Sequence, residues 1–423
     1  MRRLTWIGLP LILGLLTLAG MSWWPQVTVS ALASARSKPH PTPTATPLPT
    51  PTPSPTATPS PSPSPTPVTG TWQVVPSPTI DVSHSTFGAK LNGVAVVSAT
   101  NVWAVGYGPL LGGAAYVKQT LIEHWDGASW SIVPSANPSL KTFPQAELFS
   151  VFTLSANNVW AAGYASDLSG SGFDSTLIEH WDGISWSIVP SPNPDTQLNH
   201  LRSISGVAGN DIWAVGLAGN GGTFNPLHSL IEHWDGASWS VISNPGVNEL
   251  FGVTALATNN VWAVAGHTSP NVTDIIEHWD GTKWANVSAP SMNANGGTIS
   301  LRGIAAISAT DIWAVGDEKN PLTNAGNTIT EHWNGTAWTV SSEFSRNSYL
   351  PSVTSHGSTD VWAVDGSGLM QTQHWDGTAW SIVSTPNPAP GSGLLGVAAV
   401  SSANIWAVGW NGGTTLIEHF TQA

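Results

Sequence analysis

Apolar residues beyond residue 70 occur in short runs that are separated by Gly, Pro, Asn, Asp and Ser. Four kinds of run follow one another in a fixed order: L-x-G-V-A-x-x-S, V/I-W-A-V-G, L-I-E-H-W and W-S-I-V. Each run is about 4–8 residues long and rich in β-branched and aromatic residues, which is typical of a β-strand rather than a helix. The order then starts again, so the sequence predicts a repeated unit of four antiparallel strands.

Tryptophan marks the copies of this unit, because it recurs at one position in each of the last three runs. The second run holds Trp103, Trp160, Trp213, Trp262, Trp313, Trp362 and Trp406. The third run holds Trp125, Trp181, Trp234, Trp279, Trp333 and Trp375, with Phe420 in the seventh copy. The fourth run holds Trp130, Trp186, Trp239, Trp284, Trp338 and Trp380.

The seventh copy has no fourth run after Phe420, but Thr71–Pro78 reads T-W-Q-V-V-P-S-P and has that pattern. An open array of repeats would need polar caps at its ends, whereas a strand supplied from the opposite end of the repeats closes a ring. The sequence therefore predicts an all-β fold. It is a seven-bladed β-propeller with four antiparallel strands per blade, in which the N-terminal strand completes the last blade.

Residues 1–69 have a different composition from the repeats. Residues 1–33 combine Arg2 and Arg3 with a long apolar stretch and the small residues of A-L-A, which predicts a signal peptide or an uncleaved membrane anchor. Residues 34–69 alternate Pro with Thr and Ser, which predicts a disordered, extended linker. Residues 70–423 form the predicted propeller, and we expect it to lie outside the cell or at its surface.

Composition limits the partners. The chain of 423 residues has 12 basic and 25 acidic residues, a net charge of −13, and no cysteine. This acidic balance argues against nucleic acid and anionic membranes as partners, apart from a possible N-terminal anchor. The absence of cysteine excludes disulfides and Cys-ligated metals. We expect a monomer without a cofactor.

The predicted connections between strands are of two kinds. First-to-second and third-to-fourth turns are short and uniform, as in W-D-G-A-S, and have ordinary turn chemistry. Second-to-third and fourth-to-first loops vary, and both emerge on the opposite face. Variable loops on a rigid scaffold often bind ligands, although they can also vary without function. Candidate aromatic ligand-binding residues there are Tyr107, Tyr116, Tyr164, Phe173, Phe224, His267 and Trp410.

A Glu-His pair precedes the aromatic residue of the third run in six copies, and Gln373-His374 replaces it in the sixth unit. A shared metal site is a poor interpretation, because the copies lie in different blades and neighbours in a strand point to opposite faces. We expect these pairs to form structural hydrogen bonds between blades or to turns. No metal site is predicted.

Arg202 and Arg302 lie at matching positions of the innermost strands, and Tyr349 precedes the innermost strand of the sixth blade. With Arg346, this set resembles the arginine cluster and tyrosine nucleophile of sialidases, but no acid partner is assigned. The alternative is that the arginines face solvent or bond carbonyl groups. We add Arg202, Arg302 and Tyr349 to the candidate ligand-binding residues and predict no catalytic residue.

The V-W-A-V-G and L-I-E-H-W-D-G-T-x-W-S repeats resemble those of secreted bacterial seven-bladed propellers in the broad kelch and BNR-like grouping, which has the fold of galactose oxidase. The resemblance covers Gly70–Ala423 and implies the fold; copper oxidase chemistry is not implied, because the chain has no cysteine. The sequence favours an exported, non-catalytic propeller that binds a glycan or a protein. The alternatives are a glycoside hydrolase or lyase with its site at the channel mouth, and a structural component of the cell surface.

Overall fold

The structure is a computed structural model, and it describes residues 69–83, 85–109, 117–138, 144–167, 173–220, 227–246, 248–266, 276–290, 298–319, 326–345 and 347–422, the side chains of 144, 167 and 345 excepted. The predicted signal or anchor and nearly all of the predicted linker lie outside these residues, so both stay predictions. Within the described ranges, no helix is long and apolar enough to cross a membrane.

The described residues form 28 strands that repeat in groups of four. The first strands are β2 (Lys90–Ser98), β6 (Pro144–Ser155), β10 (Leu198–Ala208), β14 (Leu250–Ala257), β18 (Thr298–Ser308), β22 (Ser352–Ser355) and β26 (Gly393–Ser401). The second strands are β3 (Asn101–Pro109), β7 (Asn158–Asp167), β11 (Asp211–Gly219), β15 (Asn260–Ala265), β19 (Asp311–Lys319), β23 (Val361–Val364) and β27 (Asn404–Asn411).

The outer strands follow the same order. The third strands are β4 (Lys118–Trp125), β8 (Asp174–Trp181), β12 (His228–Trp234), β16 (Ile276–Trp279), β20 (Gly326–Trp333), β24 (Gln371–Trp375) and β28 (Thr414–Gln422). The fourth strands are β5 (Trp130–Ile132), β9 (Trp186–Ile188), β13 (Trp239–Val241), β17 (Trp284–Asn286), β21 (Trp338–Ser345), β25 (Trp380–Ser384) and β1 (Gly70–Val74). Each group is an antiparallel meander, and a single parallel bridge between Lys118 and Gln145 joins the first two.

The last blade is completed by the N-terminal strand, as the sequence predicts. β1 pairs antiparallel with β28, and Trp72 lies opposite Phe420. The order in this sheet is β26, β27, β28, β1, so the strand from the start of the repeats forms the outer edge of the seventh blade. The predicted fold class, a seven-bladed β-propeller, is confirmed.

Contacts between neighbouring blades, which we call seams, are made by the repeated tryptophans. Trp213 of the third blade lies 5.0 Å from Trp279 and 5.5 Å from Trp284 of the fourth, measured between ring centroids. In the seam before the seventh blade, Trp362 contacts Phe420 at 4.8 Å and Trp72 at 5.8 Å in the same arrangement. Buried aromatic pairs of this geometry stabilise a fold beyond their buried area, so the swapped strand supplies an equivalent part of the core.

The short turns form one face of the ring, the turn face. In each W-D-G turn the Asp or Asn side chain accepts backbone N–H bonds; Asp235 Oδ1 accepts from Ala237 at 2.8 Å and Ser238 at 2.9 Å. Gly236 has a φ of 97°, which L-residues rarely adopt. His233 Nε2 lies 2.9 Å from Asp211 Oδ1 at the start of the second strand. All seven third-strand histidines pair in this way, so the predicted structural role of His is confirmed.

Candidate functional site

A β-bulge in the first strands places one residue from each of several blades at the centre of the ring. In the third blade, the register shifts between Leu201 and Ser203, so Arg202 has no partner in the ladder and turns inward. The paired second strand carries glycine here because a Cβ at Gly216 would lie 1.9 Å from the carbonyl oxygen of His200. The inward residues are Asn92, Phe149, Arg202, Phe251, Arg302 and Leu395, with Pro351 at the matching place just before β22.

These seven residues surround the central channel where it opens onto the face opposite the short turns, which we call the mouth face. All seven line both a narrow cavity of about 130 Å³ and a wider one of about 330 Å³. The wider one, the mouth cavity, is also lined by Lys90, Glu147 and Tyr349, which lie two residues before the inward position in their blades. Its volume is at the small end of ligand sites and suits one or two side chains or a single sugar.

The two arginines of the mouth cavity are held by carboxylates rather than by carbonyl groups. Arg202 Nε donates to Glu249 Oε1 at 2.6 Å, and Arg302 Nε donates to Asp317 Oδ1 at 2.7 Å. The arginine side chains keep about a quarter of their surface exposed (26% and 27%). Each arginine uses Nε in these pairs, which leaves the terminal nitrogens for a further acceptor. Both arginines thus bind a carboxylate while part of each side chain faces solvent.

Aromatic rings hold the guanidinium groups in place. The Arg202 guanidinium lies 4.3 Å from the Phe149 ring centroid, and that of Arg302 lies 5.2 Å from Phe251 and 5.0 Å from Tyr349. These distances are those of cation–π contacts. Phe251 and Tyr349 also fill the space beside Gly266 and Gly366, where a Cβ would come within 2.2 Å and 2.5 Å of the two rings.

A second group of charges lies beside the first and second blades. Lys118 Nζ lies 3.2 Å from Glu147 Oε2 and 4.3 Å from the Tyr107 ring centroid. Glu147 Oε1 also accepts a bond from Asn92 Nδ2 at 3.0 Å. Lys90 Nζ lies 4.5 Å from the Trp410 ring centroid, and burial lowers the pKa of Lys90, with the Lys118 charge adding and Glu147 opposing. Five of the six described basic residues thus lie at the mouth face, namely Lys90, Lys118, Arg202, Arg302 and Lys319, and the sixth, Lys283, lies in a turn of the opposite face.

The tyrosines at this face are protonated donors at neutral pH. Burial, and secondarily the Glu147 charge, raises the pKa of Tyr107 to about 12. Burial raises the pKa of Tyr164, which stacks on His200 with ring centroids 4.1 Å apart. Burial also raises the pKa of Tyr349, although Arg302 opposes the shift. A raised pKa is unfavourable for a tyrosine nucleophile.

Of the predicted site residues, Arg202, Arg302 and Tyr349 line the mouth cavity. Tyr107, Tyr164 and Trp410 occupy one equivalent position, opposite Lys90, Glu147 and Gly393 in the respective ladders. Phe173 precedes β8, is 49% exposed and does not line the mouth cavity. The remaining predicted residues lie outside the described residues: Tyr116, Phe224, His267 and Arg346.

The acids near the mouth face are mostly engaged. Asp317 binds Arg302, Asp174 Oδ2 lies 2.7 Å from His200 Nε2, and Asp195 Oδ2 lies 2.6 Å from His228 Nε2. Glu147, the acid that lines the mouth cavity, is bonded to Lys118 and Asn92. Among the described residues, no carboxyl group donates to or accepts from the Tyr349 hydroxyl. Of the sialidase-like set, the structure therefore brings together Arg202, Arg302 and Tyr349.

Sequence reasoning missed Phe149, Phe251, Lys90, Glu147 and Glu249. One signal was present: the first run reads L-N-G-V, L-F-S-V, L-R-S-I, L-F-G-V, L-R-G-I, L-P-S-V and L-L-G-V in the seven copies. The first position is Leu, the third is Gly or Ser, and the fourth is Val or Ile in every copy, whereas the second position changes from blade to blade. That variable position is the inward residue of the bulge, but the bulge itself is needed to show that it faces the channel.

No known family model matches the chain, and no curated protein sequence matches it. Among solved structures, YCF48 bound to D1 peptide is 13% identical, with a TM-score of 0.52 over 83% of this chain and 97% of that chain. YCF48 from Cyanidioschyzon merolae is 14% identical, with a TM-score of 0.49 over 83% of this chain and 98% of that chain. The Myceliophteria thermophila Cps50 (Swd1) β-propeller domain is 10% identical, with the same TM-score and the same two coverages. At this identity, the likeness to YCF48 bound to D1 peptide shows that the chain has a β-propeller fold.

Proposed function

We propose that the chain is an exported, non-catalytic propeller whose mouth cavity binds an acidic group of a protein partner. The observation that supports this most strongly is the pair of arginines, Arg202 and Arg302, in one cavity of about 330 Å³. Each guanidinium is fixed by a carboxylate on Nε and by an aromatic ring, so its terminal nitrogens are oriented before a ligand arrives. Preorganised guanidinium groups favour carboxylates, which accept paired hydrogen bonds.

A protein ligand is favoured over a glycan by the state of the aromatic rings. Sugar stacking needs an exposed ring face, but rings around the cavity already lie against cations or other rings. Phe149 contacts Arg202 and Tyr164, Trp410 contacts Lys90, and Tyr349 contacts Arg302. The rings therefore serve mainly to position cations. YCF48, which shares the fold, has been solved bound to D1 peptide, which supports a peptide as the class of ligand.

A binding role is favoured over hydrolysis by the chemistry of Tyr349 and the acids. Glycoside hydrolysis needs a nucleophile and an acid positioned on either side of the scissile bond. Burial raises the pKa of Tyr349, and the acids Glu147, Glu249 and Asp317 already pair with Lys118, Arg202 and Arg302. Export is supported by the signal-like composition of residues 1–33 and by the extended linker composition of residues 34–69.

Binding is tested by calorimetric titration of the full-length chain with a blocked tetrapeptide of alternating Phe and Glu. We expect binding that weakens about tenfold or more for Arg302→Gln, because a hydrogen bond to a charged group contributes about 1.5–3 kcal/mol. Arg202→Gln should have a similar effect. Lys283→Gln removes the same charge from the turn face and should leave the affinity unchanged.

Four results would contradict the proposal. Equal affinity for a Phe-Gln tetrapeptide would show that the acid is not recognised. Binding of an oligogalacturonate with no binding of the acidic peptide would assign the cavity to a glycan, and turnover of a fluorogenic glycoside would make the protein an enzyme. Silence with every probe would favour a structural role at the cell surface.

A further inference from the structure

A carboxyl group with no part in the mouth cavity is buried at the same third-strand position in six of the seven blades. Five of these groups are 0% exposed and one is 2% exposed. They are Glu123, Glu179, Glu232, Glu277, Glu331 and Glu418. The sixth blade has Gln373, which is 3% exposed. Burial of an ionised carboxylate without a cation is costly, so a sixfold repeat of this feature needs an explanation.

The side chains cross the seams. Glu123 of the first blade accepts the Ser77 hydroxyl at 3.0 Å from the segment that follows β1 of the seventh blade. Glu179 of the second blade accepts the Ser135 hydroxyl at 3.0 Å and the Ala136 N–H at 3.2 Å from the segment that follows the first. Neither oxygen of Glu232 or of Glu331 receives a hydrogen bond from a described residue. Glu123 and Glu179 are thus part of the contact with the preceding blade, whereas Glu232 and Glu331 are buried without a hydrogen-bond donor.

Neutral groups surround these carboxyls. Burial raises the pKa of Glu123 to about 7, and the hydroxyls of Ser77 and Thr415 offset part of the shift. Burial raises the pKa of Glu179, which Ala136, Ser135 and Thr120 partly offset. Among the described residues, no charged group contributes to the pKa shift of Glu123 or of Glu179. The third-strand histidines beside them point to the other side of the sheet, toward the Asn or Asp that begins the second strand.

Burial acts more strongly where fewer hydroxyls are available. It raises the pKa of Glu232 and of Glu331 to about 8 with no other group contributing. It raises the pKa of Glu418 to about 8 as well, and there the Thr385 hydroxyl favours the charged form but is outweighed by burial. These three seams therefore hold carboxyl groups that resist ionisation.

The sixth blade shows which form the seam accepts. Gln373 Nε2 donates to Thr328 Oγ1 of the fifth blade at 2.9 Å, so an amide crosses this seam as a donor. An amide has the shape of a carboxylic acid and cannot ionise, and a protonated carboxyl likewise carries one O–H donor. The chain thus contains its own neutral counterpart of the six glutamates.

We propose that the seams are held by protonated glutamates, and that loss of these protons above neutral pH loosens the ring. This proposal is independent of the mouth cavity. The direction follows from linkage: between the unfolded value of 4.5 and the folded value of about 8, the folded chain holds protons that the unfolded chain has released, so stability falls as pH rises. For one carboxyl with a folded pKa of about 8, the folding equilibrium constant falls about eightfold between about pH 7 and about pH 8.5.

Histidines act in the opposite direction but at lower pH. Burial lowers the pKa of His124, His180, His278 and His419 below 6.5, so their contribution to stability grows as pH rises and is complete above 6.5. A comparison between about pH 7 and about pH 8.5 therefore reports on the glutamates and not on these histidines.

The test is urea unfolding of the full-length chain at these two pH values. The folding equilibrium constant of wild type should fall between the two pH values. For Glu232→Gln, the factor by which it falls should be about eightfold smaller than for wild type. Gln373→Glu should lose more than wild type, because it adds a further buried carboxyl at a seam. Asp235→Asn, at an exposed position of a W-D-G turn, is the control and should follow wild type, because backbone N–H groups hold the pKa of the Asp235 carboxyl below its usual value and it does not titrate in this range.

A second readout keeps the test decisive if Gln373→Glu fails to fold. The infrared band of protonated carboxyl groups should be present in the folded wild type at about pH 7 and weaker in Glu232→Gln. Stability that is flat or rising between the two pH values, or an equal pH dependence in wild type and Glu232→Gln, would overturn the proposal.

Discussion

The turn face and the mouth face of the propeller are built from the same strands but follow opposite rules. Near the turn face, nearly every blade has the same Trp, His and Asp or Asn in the same contacts. Around the mouth cavity, equivalent positions hold Asn, Phe, Arg, Phe, Arg, Pro and Leu. Residues that repeat sevenfold maintain the ring, because each seam needs the same contact. Residues that break the repeat are free of that demand, and their cations, acids and rings converge on one cavity.

The largest effect should come from breaking the ring at the swapped strand. Deletion of Thr71–Pro78 removes Trp72 from its seam and exposes β28 as an unpaired edge. We expect a much lower melting temperature and aggregation, measured by calorimetry and light scattering. An unchanged melting curve would contradict ring closure by this strand.

A smaller but still large effect should separate the two regions. Trp213→Ala removes a buried ring from a seam and should destabilise the fold by about 3–5 kcal/mol. Trp410→Ala removes a partly exposed ring from the mouth face and should cost less than about 1 kcal/mol. Urea unfolding measures both, and equal losses would remove the distinction between repeated and variable positions.

For the arginines we expect a large loss of ligand binding with little loss of stability. Arg302→Gln should abolish most of the peptide affinity, while the melting temperature changes by a few degrees at most, because the side chain is partly exposed. Calorimetric titration and thermal unfolding of one preparation measure both. A collapse of stability with binding retained would place Arg302 among the structural residues.

The smallest effect concerns the W-D-G turns. Asp235→Ala should lower the melting temperature slightly, because two backbone N–H groups lose their acceptor. Asp235→Asn should be neutral, since Asn334 accepts the same bonds in the fifth blade, at 2.9 Å from Thr336 and 3.0 Å from Ala337. A strong effect of Asp235→Asn would show that the carboxylate charge has a role on the turn face.

The sequence predicted the fold well because propeller contacts are local and repeated. The spacing of Trp103, Trp125 and Trp130 recurs in later units, and Trp72 could be assigned to the seventh blade by the same pattern. It also singled out Arg202, Arg302 and Tyr349, which line one cavity in the structure, since basic residues are rare and stand out.

The partners of these residues could not be predicted. Glu249 reaches Arg202 from the next blade, whereas Asp317 reaches Arg302 from the same blade. Which acid binds which arginine depends on the bulge and on the rotation between blades, neither of which a linear pattern contains. The seam glutamates were identified as structural, but their protonation depends on burial that appears only when two blades are in contact.

The central claim is that the variable positions bind the ligand and the repeated positions support the ring. Hydrogen–deuterium exchange of the full-length chain, with and without the acidic Phe-Glu tetrapeptide, tests this claim most directly. We predict slower amide exchange around residues 90–92, 147–149, 200–202, 249–251 and 300–302, with no change in the W-D-G turns. Protection at the W-D-G turns, with none around the mouth cavity, would contradict it.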